Sequence, residues 1–127
     1  MPTPILPKNA PKPAGPYSPG MRTGRLLYLS GQTATDPRTN ELIQGDVAAQ
    51  TNRILDNLHS VLEAAGLDWN AVVKTNVFLT DINDFAAMNA AYGARLGDWR
   101  PARSTIGVAA LPKGAKIEIE MIAEVSD

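Results

Sequence analysis

The chain contains no cysteine, which excludes disulfides, thiolate catalysis and sulfur-ligated metals. It has one histidine, His59, and no His/Asp/Glu cluster with metal-ligand spacing. Its glycines are scattered without a phosphate-loop pattern. A metal-free site that needs no cofactor is therefore the expectation. Basic residues are not in excess: 12 Lys and Arg stand against 13 Asp and Glu, for a net charge of -1. That balance argues against a protein built to neutralise many phosphates, so no nucleic-acid partner is expected. No apolar run approaches the roughly 18 residues of a membrane helix. The N-terminus also lacks the basic-then-apolar pattern of a signal peptide, so the expectation is a soluble cytoplasmic protein with no membrane partner. Aromatic residues make up only 6%, which predicts an aliphatic core.

What is present fits one domain spanning residues 1–127, with 44% apolar residues and enough length for a real core. A core this small gains further burial by oligomerising. Seven of the ten prolines fall within the first nineteen residues, which excludes regular helix there and disfavours a central strand. Within that stretch, Gly15-Pro16-Tyr17-Ser18-Pro19-Gly20 holds one tyrosine between turn-forming pairs and predicts an ordered lip. Residues 25–32, ending in Ser30-Gly31-Gln32, form an apolar run that predicts a strand, and Asp36 to Glu41 supplies a turn with Asn40 suited to a left-handed conformation.

From Asp46 the period changes. Val47, Thr51, Ile54, Leu55, Leu58, Val61 and Leu62 form a helical stripe, with Asp46 as N-cap and Gly66 as stop. Val72 to Leu79 predicts a strand, and Thr80-Asp81 a cap for a second helix striped by Phe85, Met88, Tyr92 and Leu96 and ended by Gly97. This order predicts an α+β fold in which both helices cover one face of a single sheet.

The last quarter of the chain carries the chemistry. Residues 100–108 and 116–123 read as two strands joined by a turn. In the second strand Ile117, Ile119, Met121 and Ala123 alternate with Glu118 and Glu120. In the first, Arg103 and Thr105 share a side and Ile106 and Val108 take the other. Setting Arg103, Thr105 and Glu118 together on the face away from the helices would pair a guanidinium with a carboxylate, enough to grip a small anion and orient a water beside it. Spacing alone leaves Arg103 open between carboxylate ligand and structural ion-pair partner of Glu118 or Glu120. Glu118 stands between general base and solvated strand residue, and Glu120 is read as structural. Tyr17 either lines a site or packs the lip down. Asn89 either meets a ligand or ties the second helix to a loop, and Ser30 either meets a ligand or bonds its own turn. His59, beside the stripe of the first helix, is read as structural.

Taken in order, several pieces resemble the RidA family, the reactive intermediate deaminases also called the YjgF family. These are Gly15-Pro16-Tyr17-Ser18, Leu29-Ser30-Gly31-Gln32, Leu55-Asp56-Asn57-Leu58, Lys74 to Asp81, Pro101-Ala102-Arg103-Ser104, Leu111-Pro112-Lys113-Gly114 and Lys116-Ile117-Glu118-Ile119-Glu120. The resemblance covers nearly the whole chain. It implies a chorismate-mutase-like α+β fold, a homotrimer with a central barrel, and clefts between subunits. It also implies hydrolysis of 2-imino acids such as 2-iminobutanoate and 2-iminopropanoate to 2-keto acids and ammonia. Arg103 would then bind the substrate carboxylate and Glu118 the attacking water, while Tyr17, Ser30, the backbone at Gly31, and Asn89 line the pocket. Thr105 occupies a position that is often cysteine in bacterial relatives, and Asn40 one that is often glycine. The alternatives are a non-catalytic binder of small carboxylates or a chaperone-like regulator. A ribonuclease or translation inhibitor fits this mildly acidic chain least well.

Overall fold

The computed structural model describes residues 1–126. Its elements run β1 (Thr3–Ile5), β2 (Gly20–Thr23), β3 (Leu26–Gln32), β4 (Thr35–Asp36), β5 (Glu41–Leu42), α1 (Val47–Ala64), β6 (Val72–Leu79), α2 (Phe85–Leu96), β7 (Ala102–Gly107) and β8 (Ile117–Glu124). Six strands form one sheet in the order β1-β2-β3-β8-β6-β7, and β4 and β5 make a separate hairpin. The expected α+β architecture is what forms, with both helices on one face.

Helix α1 starts, and both helices stop, where the sequence dictates. The Asp46 carboxylate accepts the Ala49 N–H at 2.9 Å, pairing one of the donors a helix start leaves free. Gly66 and Gly97 end the two helices at φ 74° and 62°, a left-handed conformation that suits glycine. At the start of α2 the cap differs from expectation. Asp81 caps a separate 3-10 turn, Ile82–Asp84, by accepting the Asn83 N–H, and α2 begins only at Phe85.

The core lies between the helices and one sheet face. Ile54, Leu55 and Leu58 of α1 and Met88 of α2 are buried with Leu27, Val77, Ile117 and Ile119 of the sheet. Two buried polar side chains fasten other parts to this frame. Asn57 Nδ2 donates to the Thr35 carbonyl at 2.8 Å, and Gln50 Oε1 accepts the Lys116 N–H at 3.0 Å.

The proline-rich N-terminus is partly strand. β1 carries Pro4 at the sheet edge, where a missing N–H costs least. The expected lip, 15–20, is the end of a longer strap, residues 11–19, which lines a cleft beside the end of β3 and enters β2 at Gly20. Strand β3 runs through Gln32 as expected, but with a bulge. Leu29 pairs with Met121 and Gln32 with Ile119, so Ser30 and Gly31 together oppose Glu120 alone.

Two expectations about the chemistry-bearing strands are corrected. Strands β7 and β8 are not neighbours, because β6 lies between them, antiparallel to β8 and parallel to β7. The alternation along β7 is as expected, but its faces are reversed. Arg103 is in register with Thr75 and Thr105 with Val77, and both β6 residues are buried on the helix side. Glu118 and Glu120 pair with Phe78 and Asn76 on the open face, where Ile106 also points. Arg103 and Thr105 therefore lie on one side of the sheet and Glu118 on the other. The physical reason is the edge position of β7: beyond the core its helix-side places need not be apolar, so polarity does not report the face.

Candidate active site

A cleft of about 610 Å³ opens on the face away from the helices, between the strap, the bulged end of β3, the β4–β5 hairpin and the first residues of β8. It gathers four of the expected site residues: Tyr17, Ser30, Gly31 and Glu118. Arg103, Thr105 and Asn89 are not part of it.

Glu118 is the cleft's perturbed carboxyl. Its carboxyl is held above the usual carboxylate range, first by burial and then by the negative charge of Glu120 two residues along the same face. Asn76 Nδ2 donates to Glu120 Oε2 at 3.0 Å and fixes the neighbour that exerts this repulsion. The bulge brings Gly31 against Glu118, where a β-carbon would lie 2.5 Å from Oε2, so only glycine leaves the carboxylate in place. Such a carboxyl is suited to taking and returning a proton.

Ser30 holds the strap. Its hydroxyl donates to the Ser18 carbonyl at 2.7 Å and its N–H to the Pro19 carbonyl at 2.9 Å. No base activates it, so its role is positional. Tyr17 is about half exposed, and its phenol oxygen accepts the Ala14 N–H at 3.3 Å. The phenol proton is left to meet a ligand.

Arg103 belongs to a second cluster on the helix side. Its guanidinium carbon lies 5.0 Å from the ring centre of Tyr92 and 5.7 Å from that of Phe85. Among the described residues no carboxylate pairs with it. Asn89 is carried by the same helix, between Phe85 and Tyr92 in sequence. The Thr105 hydroxyl oxygen is buried with no hydrogen-bond partner. An aromatic-backed guanidinium with no internal partner is equipped to bind an external carboxylate in a bidentate manner.

The expected site residues thus fall into two separate groups: a carboxylate cleft without arginine, and an arginine cluster without a carboxylate. Sequence reasoning did not single out Asn40 or Lys113 as cleft residues. Both have positive φ, 61° and 60°; the left-handed turn expected at Asn40 forms, whereas no local signal marked Lys113.

This fold is that of a known family. The sequence model of the family described as Endoribonuclease L-PSP matches residues 7–125. A 2-iminobutanoate/2-iminopropanoate deaminase of Escherichia coli is 48% identical over 122 residues, covering 94% of each chain. A RutC family protein of Pyrococcus horikoshii is 47% identical over 119 residues, again 94% of each. The crystal structure of RidA from an Antarctic Psychrobacter superimposes with a TM-score of 0.93 at 43% identity, covering 97% of this chain and 99% of that one. The chain belongs to the RidA/YjgF family.

Proposed function

We propose that this protein hydrolyses 2-imino acids to 2-keto acids and ammonia, without a cofactor. The observation that carries this reading is the Glu118 carboxyl, partly buried in a cleft, raised in proton affinity, and seated against a glycine whose missing β-carbon leaves it room. The substrate C2 is already electrophilic when its imine is protonated, so the protein supplies position and proton transfer. Glu118 takes a proton from water as the water oxygen bonds to C2, giving a carbinolamine. The same carboxyl then returns the proton to nitrogen. Ammonia leaves as the C–N bond breaks, and the hydroxyl proton passes through the Glu118 carboxylate to the departing ammonia as the keto group forms.

The substrate carboxylate needs a cation, and the best one on the chain, Arg103, lies on the other side of the sheet. We propose that a neighbouring copy delivers it in a homotrimer. Leu26, Tyr28 and Ile106 are 37%, 46% and 51% exposed on the open face, a surface that gains by being covered. Closed point-group assembly repeats one interface and so builds equivalent clefts, each with Glu118 and Tyr17 from one chain and Arg103, Thr105 and Asn89 from the next.

Ammonia release from freshly generated 2-iminobutanoate tests the activity. A rate indistinguishable from spontaneous hydrolysis, with the ligand nonetheless bound, would favour a carboxylate-binding regulator instead.

A further inference from the structure

We propose that Asn40 is the latch that holds the N-terminal strap against the cleft, and so sets the size of side chain the site accepts. The inference rests on the deaminase reading for its kinetic consequence but not for its structural one. The strap is fixed at one end by Ser30, which binds the Ser18 and Pro19 carbonyls. Toward its other end, the Lys12 N–H donates to Asn40 Oδ1 at 3.2 Å. Among the described residues no other hydrogen bond joins residues 12–17 to the rest of the chain. The Ala14 and Tyr17 amides are satisfied within the strap, by Tyr17 Oη and the Gly15 carbonyl.

Prolines at 11, 13 and 16 stiffen this segment and remove donors, so it moves largely as one piece between its two anchors. Asn40 lies at the tip of the β4–β5 hairpin, which the buried Asn57–Thr35 bond ties to α1. The latch therefore connects the strap wall of the cleft to its hairpin frame. Both partners, with Pro11, Pro13 and Tyr17, line the cleft, so releasing the bond widens the site where a substrate side chain would lie.

The residue type is specific to this task. At φ 61° the backbone favours glycine, asparagine or aspartate. Glycine would hold the turn with less strain but has no side-chain acceptor, whereas asparagine supplies both.

Three variants separate the latch from the turn. Asn40→Gly keeps the backbone conformation and deletes the acceptor, Asn40→Asp keeps both, and Asn40→Ala loses the acceptor and strains the turn. Hydrogen exchange at the Lys12 amide should quicken by about three- to tenfold in Asn40→Gly, the weight of roughly one net hydrogen bond, and return toward wild type in Asn40→Asp. In the same variant, KM for 2-iminobutanoate should rise more than kcat falls. The ratio of kcat/KM for a branched six-carbon imino acid over 2-iminopropanoate should rise about threefold or more. Unchanged Lys12 exchange in Asn40→Gly would overturn the latch, whatever the activity. Faster exchange with an unchanged substrate ratio would overturn its role in specificity. If the wild-type protein released no ammonia, the deaminase reading would fail while Lys12 exchange still decided the latch.

Discussion

The carboxylate of Glu118 lies against the Cα of Gly31, so closely that a methyl group built there would sit 2.5 Å from Oε2 and 2.9 Å from Cδ. The clash falls on the free end of a flexible side chain rather than on backbone, so it can be relieved by turning Glu118 away. Gly31→Ala should therefore fold normally, yet lose at least about tenfold in kcat, since a general base displaced from its water forfeits part of a roughly 10²- to 10⁴-fold effect. Steady-state deamination together with a melting curve checks this. A wild-type kcat would show that the position of Glu118 is not critical.

Glu118→Gln separates chemistry from stability. The amide keeps the size of the side chain but cannot accept a proton, so turnover should fall by about 10²- to 10⁴-fold. Stability should change in the opposite sense. The folded-state pKa of Glu118 is raised by burial and by Glu120, so its favourable contribution belongs to low pH and is lost as pH rises through the folded pKa. Below the ordinary glutamate value of about 4.3, both states are protonated and the penalty vanishes. The Gln variant should thus melt higher than wild type at pH 7, and the gap should close near pH 4. Equal melting temperatures at pH 7 would remove the desolvation argument.

Asp46→Ala tests the frame without touching the cleft. Loss of the bond to the Ala49 N–H should cost about 1 kcal/mol of stability, measured by urea unfolding, with turnover per folded molecule unchanged. A stability equal to wild type would mean that water replaces the cap at no cost.

Much of this architecture is legible in the sequence because periodicity reports burial directly. The α1 stripe, the Asp46 cap, the Gly66 and Gly97 stops and the alternation of β8 all follow from local rules. The faces of β7 do not. A parallel edge strand takes its register from a partner more than twenty residues away, and Arg103 sits where the helix layer gives way to the rings of Phe85 and Tyr92. The bulge at Ser30-Gly31 was equally hidden, since Ser-Gly reads as a strand end until the pairing with Met121 and Ile119 is known. Asn57 and Gln50 escaped a hydrophobic-stripe reading because they are buried for their amides. The candidate site residues are named by resemblance, but their division between two faces is a property of the pairing.

Removing the guanidinium in Arg103→Ala should abolish deamination while leaving the fold intact, and Arg103→Lys should remain poor because a point charge does not replace a planar fork stacked on rings. The division of the site makes the stronger test one of mixing. Arg103→Ala chains retain Glu118, and Glu118→Gln chains retain Arg103, so each variant alone builds only defective clefts. If every cleft takes Glu118 from one chain and Arg103 from its neighbour, random exchange of subunits at equal amounts restores both groups in about one quarter of the clefts. Activity should then climb to about that fraction of wild type after the two inactive proteins are unfolded and refolded together. Asn89 is not a suitable partner for this test, because it lies on the same side of the sheet as Arg103 and would be lost or restored with it. Absence of recovery, with mixed oligomers demonstrated by mass spectrometry, would mean that Arg103 and Glu118 do not meet across subunits and that another cation anchors the substrate.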